Sequence, residues 1–395
     1  MISRFRPSFG WEEMRAALTM PRSDDVARFE TGFSQKMGQK YAVAFPYGRT
    51  GLILLLEALG LEGKEIICPA YTCVVVPHAI VFSGNRPVFV DSQDSDFNMN
   101  LDEVMSVITE NTGAIIATSI FGYPVDLDKL DTIKKNYPHI HIIQDCAHSF
   151  AAEWKGRPVQ REGIAAIFGL NISKMISSVF GGMVTTDDEY LAKKLLKLRF
   201  QKLQHPKLLK SLKRFLYLLA VYPTFWPPLY GLVNRLEHSG LLNRFVKYYD
   251  DSFIDMPEDY RQGITGIEAR VGLEQLKKYD AIINKRRNLA IWYNTQLTEK
   301  RGLKLPRLVE GATYSHYVPR VVDRCAIIDQ ARKNGIQLGE LIDYCIPEMP
   351  TYSDTQDSKN SFTIASKMTQ ETINLPICIQ ANNPAAEKVI SLWKI

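Results

Sequence analysis

HIHIIQDCAH, residues 139–148, is the stretch that decides the fold, because an apolar run ends there in Asp145 and is followed by His148. A second apolar run, AAIFGLNISK at residues 165–174, ends in Lys174. Continuous apolar runs of this length predict strands that are buried on both faces. The sequence therefore predicts an acid and a lysine at the ends of two core strands.

An acid and a lysine in this setting predict a site for pyridoxal 5'-phosphate. The lysine, Lys174, would form a Schiff base with the cofactor and move a proton between substrate carbon and cofactor, which requires a lowered pKa in a site with little water. Asp145 would keep the pyridine nitrogen protonated. His148 would pack against the ring or bond its phenolic oxygen. Taken singly, each residue also has an ordinary structural explanation, such as a strand-end cap or a solvated lysine.

Apolar strands and amphipathic helices alternate from about residue 41 to residue 186. We predict strands at Tyr41–Phe45, Glu65–Cys68, Pro87–Asp91, Ala114–Ser119 and Ile140–Asp145, and helices at Leu52–Leu59 and Thr72–Phe82. This order predicts an α/β fold with a mostly parallel sheet covered by helices on both faces.

The later part of the chain has a different pattern. A long helix is predicted from Ile264 to about Leu297, and the sequence after it indicates a smaller α+β domain. We therefore predict a large domain over residues 1–255 and a small C-terminal domain over residues 256–395.

Composition disfavours several classes of protein. The formal net charge is only +5 over 395 residues, and no basic stripe with interleaved aromatic residues is present, so a nucleic-acid partner is not expected. The six cysteines lack CxxC spacing, which favours a reducing compartment and gives no reason to expect a metal site. The first residues, MISRFRP, lack the apolar core of a signal peptide, so a cytoplasmic protein is expected.

An atypical insertion at about residues 193–250 interrupts the alternation. Nine lysines or arginines and no acidic residue lie between Lys193 and Arg214, and an uncharged, aromatic-rich run follows from Phe215 to Val233. One interpretation is a peripheral contact of residues 202–233 with the inner face of an anionic membrane. The other is that the apolar run is buried at a dimer interface or under the small domain. A membrane-spanning helix is disfavoured because three prolines, at positions 223, 227 and 228, interrupt the run.

A phosphate-binding turn is predicted between the first strand and the helix that follows it. The sequence there is YGRTG, residues 47–51. Amides at a helix N-terminus attract anions, and glycine lets the backbone approach them closely. We expect Gly48, Arg49 and Thr50 to bind the cofactor phosphate, with the Thr50 hydroxyl donating a hydrogen bond. An ordinary turn with a threonine cap is the alternative explanation.

These motifs, in this order, resemble those of the DegT-type sugar aminotransferases, pyridoxal phosphate enzymes of the aspartate aminotransferase fold (fold type I). The matching segments are GRTG (48–51), EIICPAYT (65–72), GNRPVFVD (84–91), QDCAH (144–148), the lysine segment 168–182, ITGIEA with GLEQL (264–269, 272–276) and LP (375–376). The resemblance covers most of the chain. It implies a homodimer with active sites at its interface, and amino transfer from glutamate to a keto group on a nucleotide-linked sugar.

Two departures from the family pattern concern residues around the lysine. The family usually has a phosphate-binding serine five residues before its lysine, where this chain has Gly169, so Asn171 or Ser173 is the candidate substitute. An aromatic residue usually stacks on the cofactor ring after the PxxT segment, where this chain has Cys73. We expect Tyr71 or His148 to contact the ring instead.

A third departure concerns the subunit interface. The family donates an asparagine across the dimer to the phosphate, and this chain has Asp259 or Arg261 in that neighbourhood. Arg261 would be an adequate phosphate ligand.

The sequence thus predicts a pyridoxal phosphate-dependent aminotransferase that acts on a keto sugar, nucleotide-linked or lipid-linked, in surface polysaccharide or glycan biosynthesis. Lys174, Asp145 and His148 are the predicted catalytic residues. The predicted cofactor-binding residues are Gly48, Arg49, Thr50, Tyr71, Cys73, Asp145, His148, Ser173, Lys174 and Arg261. One alternative is a sugar dehydratase of the same fold, against which Lys174 argues because the dehydratases carry histidine there. The other is a non-catalytic, membrane-associated regulator.

Overall fold

The computed structural model describes residues 1–225, 230–231, 253–297, 302–353 and 361–393. Within these residues a seven-stranded sheet has the order β1-β9-β8-β5-β4-β2-β3. The strands of this sheet are β1 (Tyr41–Phe45), β2 (Glu65–Pro69), β3 (Arg86–Val90), β4 (Thr112–Thr118), β5 (His141–Asp145), β8 (Ala165–Gly169) and β9 (Gly182–Thr186). Two short strands, β6 (Glu153–Trp154) and β7 (Arg157–Pro158), form a separate hairpin. Neighbouring strands are parallel except where β9 pairs with β1 and β8. The predicted α/β fold with a mostly parallel sheet is confirmed.

Helices cover both faces of the sheet. Those before residue 225 are α1 (Trp11–Leu18), α2 (Asp25–Met37), α3 (Gly48–Ala58), α4 (Val75–Phe82), α5 (Leu101–Val107), α6 (Leu127–Asn136), α7 (Glu189–Lys202) and α8 (Leu208–Val221). On β2, Ile66 and Ile67 are both fully buried, but they belong to different apolar clusters on opposite faces. A strand buried in this way needs apolar residues at every position, which explains the continuous apolar runs in the sequence.

The predicted long helix from Ile264 to Leu297 is wrong in one respect, because two helices occupy this region. They are Gly266–Lys277 and Tyr279–Gln296. The break falls at Lys278, whose ammonium group lies 3.2 Å from the Glu12 carboxylate and 2.8 Å from that of Glu13, both in α1. Since only one residue interrupts the helical geometry, the apolar periodicity continues across the break and gives no sign of it.

The C-terminal part holds a second, two-stranded sheet, β10 (Leu303–Lys304) with β11 (Arg320–Val321), and further helices. These helices are Arg324–Lys333, Pro350–Ser353, Thr363–Glu371 and Pro384–Ile390. The start of the chain is bound here: the Ile2 amide donates to the Gly335 carbonyl at 2.8 Å, and the Gln337 amide donates to the Ile2 carbonyl at 2.9 Å. The division into domains 1–255 and 256–395 stays a prediction. The first residues of the chain form hydrogen bonds with residues of the predicted C-terminal domain.

The region predicted to be an atypical insertion, about residues 193–250, begins within α7, and α8 and a short 3-10 helix, Tyr222–Phe225, follow. Much of the remainder, including Pro227 and Pro228, lies outside the described residues. Across the described ranges, none of the helices combines the length and the apolar character needed to cross a bilayer.

Candidate active site

Asp145 and Lys174 are brought together because β5 and β8 are parallel neighbours. Asp145 ends β5 opposite Ile167 of β8, and Lys174 lies in the loop that connects β8 to β9. Bonds from the Leu170 amide to the Gly181 carbonyl and from the Ser178 amide to the Leu170 carbonyl, both 2.9 Å, fold this loop back on itself. The carboxyl ends of parallel strands are where α/β folds place their ligands.

The Asp145 carboxyl group is buried, with 4% of the residue exposed. It accepts a hydrogen bond from the Ala147 amide at 3.0 Å and lies 3.4 Å from the Thr118 hydroxyl. Burial raises the pKa of this carboxyl group, although the Ala147 amide and the positive charge of Lys174 act in the opposite direction. A cationic ring nitrogen beside Asp145 would favour the ionised carboxylate.

Lys174 is half-buried. Burial lowers the pKa of this amine, against the influence of Cys73 and Asp145. A Cβ atom on Gly169 would lie 3.3 Å from Lys174 Cε and 3.6 Å from Ala147 Cβ. The glycine that replaces the family's usual serine therefore leaves space beside the lysine.

His148 is buried and its pKa is well below the ordinary value, because of burial and the nearby Lys174 and His316. Its Nδ1 atom accepts the Phe121 amide at 3.5 Å, and its ring stacks on Phe121 with centroids 6.0 Å apart and an angle of 11°. The acceptor role of Nδ1 assigns the proton of the neutral imidazole to Nε2. His148 thus presents an N–H donor that stays neutral.

The start of α3 lies beside the lysine strand. A Cβ atom on Gly48 would lie 3.2 Å from the Phe168 carbonyl oxygen and 3.4 Å from Gly169 Cα. Tyr47, the residue before the helix, provides no side-chain cap, and no acidic residue lies in the first turn. The amides of this turn therefore provide a suitable anion site next to Lys174.

Arg49 adds a buried guanidinium group to this end of the site. The group donates to the Asp255 carbonyl at 3.3 Å and lies 3.9 Å from the Asp255 carboxylate. Burial lowers the pKa of Arg49, and Cys73 and Asp255 oppose the shift. Cys73 influences both Arg49 and Lys174, which indicates that the three side chains face one region.

Four predicted cofactor ligands have other contacts in this subunit. The Thr50 hydroxyl donates to the Tyr260 carbonyl at 3.2 Å, and Thr50 lines a cleft of about 710 Å³ together with Arg261. Lys174, Asp145 and His148 do not line that cleft. The roles of Thr50 and Arg261 as phosphate ligands stay predictions.

The other two are Tyr71 and Ser173. The Tyr71 ring is fully buried, with its hydroxyl 3.3 Å from that of Thr372, and the Ser173 hydroxyl donates to Asn171 Oδ1 at 2.7 Å. Their contacts with the cofactor also stay predictions.

Three residues near the site were missed by the sequence analysis. His316 lies with its ring centroid 5.2 Å from that of His148, Phe121 stacks on His148, and Asp255 contacts both Arg49 and His78. Single histidines, phenylalanines and aspartates in loops carry no spacing pattern. The TYSHY stretch around His316 offered a weak signal at most.

These residues fit pyridoxal 5'-phosphate. The buried carboxyl group of Asp145 has a place for a cationic nitrogen, the Lys174 amine has a lowered pKa, and the uncapped start of α3 lies beside both. The donor set thus matches the ring nitrogen, the aldehyde and the phosphate of that cofactor.

Comparison with known proteins identifies the family of this chain. Residues 13–216 and 229–393 match the DegT/DnrJ/EryC1/StrS aminotransferase family. The uncharacterized protein MJ1066 of Methanocaldococcus jannaschii is 28% identical over 390 residues, covering 94% of this chain and 92% of its own. GDP-perosamine synthase of Escherichia coli O157:H7 is 26% identical over 357 residues, covering 89% and 84%.

Among solved structures, the aminotransferase TlmJ from Streptoalloteichus hindustanus has the same fold. It superposes with a TM-score of 0.77 at 22% identity, covering 100% of this chain and 98% of its own. Family membership together with Lys174 favours an aminotransferase over the dehydratase and regulator alternatives. The chain belongs to the DegT/DnrJ/EryC1/StrS aminotransferase family, whose members are pyridoxal phosphate-dependent aminotransferases.

Proposed function

We propose that this aminotransferase moves an amino group from glutamate to the keto group of a sugar carried by a nucleotide or a lipid, in surface polysaccharide or glycan biosynthesis. The observation that supports it most is that the half-buried Lys174 lies close enough to the buried Asp145 carboxyl group and to the His148 ring to shift the pKa of both. The relatedness to a GDP-perosamine synthase supports the sugar as acceptor.

Each of the three residues has a distinct task. When bound, the cofactor supplies the electron sink for breaking a C–H bond next to nitrogen. Lys174, with its lowered pKa, takes that proton from the substrate carbon and delivers it to the cofactor carbon on the other side of the nitrogen. Asp145 holds a positive ring nitrogen through its carboxylate, and His148 donates its Nε2 hydrogen without acquiring a charge.

The replacement Lys174→Ala tests the assignment of the lysine. Wild-type protein mixed with pyridoxal 5'-phosphate is expected to acquire a visible absorbance band that Lys174→Ala lacks. Lys197→Ala, an exposed lysine in α7, serves as the matched control and should keep the band. A wild-type protein that stays colourless with added cofactor would refute the proposal.

The amino donor and acceptor can be tested separately. Glutamate added to the coloured protein should bleach the visible band, and the correct keto sugar should restore it. If glutamate has no effect while another amine bleaches the band, the donor assignment is wrong but the enzyme class stands.

We propose further that the enzyme is a cytoplasmic homodimer and that residues 202–233 make a peripheral contact with the inner face of the membrane. Family resemblance supports the dimer, and light scattering tests it. Limited proteolysis near residue 255 tests the proposed domain division.

A further inference from the structure

Helix α8 faces the protein with a side that carries the fully buried Leu218 and two cationic residues, Lys210 and Arg214. Lys210 is buried and donates from Nζ to the carbonyl groups of Gln262 at 2.8 Å and Gly263 at 3.1 Å. One turn later, Arg214 forms ion pairs with Asp259 at 2.6 Å and Glu268 at 3.0 Å. These bonds fix the helix to the catalytic part of the molecule.

The opposite face of α8 presents leucines to solvent. Leu208 is 90% exposed, Leu212 52%, Leu216 53% and Leu219 42%. Their spacing of four, four and three residues places them along one stripe, and Lys210 lies two residues from Leu208, about half a turn around the helix. A surface helix ordinarily presents polar residues to solvent and keeps its large apolar residues on the buried face. An exposed apolar stripe of this kind indicates a surface that binds something.

Exposed positive charge lies on the same helix as this stripe. Lys207 and Lys213 of this segment are both exposed. Within residues 193–214 the sequence has no carboxylate that could pair with them. A second copy docking the same face would bring like charges together, whereas anionic lipid headgroups would neutralise them.

The end of this helix lies outside the family match. The match stops at residue 216 and resumes at residue 229. Leu219 therefore lies beyond the matched part of the chain, whereas Leu208, Leu212 and Leu216 lie within it.

We propose that the outer face of α8, defined by Leu208, Leu212, Leu216 and Leu219 with Lys207 and Lys213, docks on an anionic phospholipid bilayer. The helix lies parallel to the surface, its leucines enter the boundary between headgroups and acyl chains, and its lysines meet the phosphates. This surface gives the membrane contact proposed above a defined location, and it does not rest on the amino-transfer reaction.

The inner face of α8 links this surface to the active site. Arg214 donates to the Tyr47 hydroxyl at 2.9 Å, and that hydroxyl donates to Asp259 at 2.5 Å. Tyr47 immediately precedes the anion-binding start of α3. A docked α8 would thus hold the active site in a fixed orientation relative to the bilayer.

Vesicle flotation of the full-length holoenzyme tests the proposal. Vesicles of phosphatidylcholine with phosphatidylglycerol are compared with vesicles of phosphatidylcholine alone, at low and high salt. The wild-type protein should float with the anionic vesicles only, and less at high salt. Leu212→Glu and Leu216→Glu should each weaken binding about tenfold, and Lys207→Ala and Lys213→Ala about fivefold each.

Matched controls use exposed residues away from α8. Leu308→Glu and Lys134→Ala should bind vesicles like the wild type, since Leu308 is 45% exposed and Lys134 lies at the end of α6. Thermal unfolding checks that each variant is folded, and light scattering gives its mass. Failure of the folded wild type to float at low salt would overturn the proposal. The proposal would also be overturned if the α8 variants bound vesicles normally but dissociated from dimers to monomers. That result would identify a second copy of this chain as the occupant of the α8 surface.

Discussion

Arg49 and Thr50 are adjacent in sequence, but their side chains lie in different surroundings. The Arg49 guanidinium group shares a region with Cys73 and Lys174, whereas the Thr50 hydroxyl is bonded to the Tyr260 carbonyl. One helical residue corresponds to about 100° of rotation, so the two side chains leave the start of α3 in different directions. The sequence motif alone could not show that the two side chains have different surroundings.

Replacement of Arg49 should therefore affect cofactor binding more than replacement of Thr50. We expect Arg49→Gln to raise the dissociation constant of pyridoxal 5'-phosphate by about 10–100-fold, because a charged hydrogen bond to phosphate is lost. Thr50→Val is the matched control and should change it little. Fluorescence titration of the apoenzyme measures both, with urea unfolding as the check on folding. Equal effects of the two replacements would contradict the expectation.

The replacement Asp145→Asn tests the negative charge of this side chain, because asparagine has nearly the same shape and no charge. The amide oxygen can still accept the Ala147 amide, so the loop is retained while the negative charge is removed. Because Asp145 raises the pKa of Lys174, the pKa of the lysine should fall further in the variant. We expect kcat to fall by about a hundredfold or more, and the pH midpoint of the visible absorbance change to move to lower pH. Thr118→Val, which removes only the hydroxyl at 3.4 Å, should change both quantities little.

Sequence reasoning at the residue scale worked where a residue ends a strand. Asp145 and Lys174 follow apolar runs, so the sheet topology alone brings them together. His316 and Asp255 reach the site from distant loops, and no local pattern marks them. Tertiary contacts decide such positions, and a single sequence does not contain them explicitly.

At the scale of elements, the contact between β9 and the start of α3 leaves no space for a side chain. A Cβ atom on Gly182 would lie 2.2 Å from the Gly48 nitrogen and 2.4 Å from its Cα. The sequence signal here is one pair of glycines, Gly181 and Gly182, which predicts close backbone contact but not its partner. The structure identifies that partner as the start of α3, where the phosphate-binding turn is predicted.

Gly182→Ala should consequently disturb both the first residues of β9 and the predicted phosphate end of the site. We expect a loss of about 1–3 kcal/mol in the free energy of unfolding, since backbone atoms must move, and weaker binding of pyridoxal 5'-phosphate. Gly263→Ala is the control, because a Cβ atom there would meet its nearest neighbours at an ordinary 3.5 Å. Urea unfolding of the apoenzyme gives the first quantity. An unchanged midpoint for Gly182→Ala would contradict this contact.

Helix boundaries were less predictable than strands. The strands β1 to β5 lie within two residues of their predicted ends, since buried parallel strands have a clear apolar pattern. At the break, Lys278 contacts Glu12 and Glu13 of α1, more than 260 residues earlier in the chain. The apolar periodicity continues across this single residue, so the local pattern does not reveal the break.

At the scale of the whole molecule, Asp94 connects the loop after β3 to the C-terminal two-stranded sheet. Its carboxylate lies 2.8 Å from the Lys304 ammonium group and forms an ion pair with Arg320. Hydrogen bonds from Lys304 and Arg320 lower the pKa of Asp94 to about 2. Folding therefore favours the charged form of the Asp94 carboxyl group.

The sign of the pH effect follows from this lowered pKa. The contribution of Asp94 is fully present above the ordinary aspartate pKa and is lost as the pH falls through about 2. Because the side chain is 51% exposed, solvent screens the pair and we expect Asp94→Asn to cost about 1 kcal/mol or less near pH 7. The difference from wild type should shrink on acidification. Asp329→Asn, which removes a pair within one helix, is the control in urea unfolding at several pH values.

The bonds between the first residues and the C-terminal part have a consequence for biosynthesis. Arg4 and Gln337 are joined by a hydrogen bond although 333 positions separate them. A ribosome adds residues from the N-terminus onward, so residues 2–4 must wait for their partners until most of the polypeptide has been translated. The sheet can assemble earlier, but the last step of folding comes after the C-terminal part has left the exit tunnel. A nascent chain arrested before residue 335 would leave this N-terminal segment open to proteases.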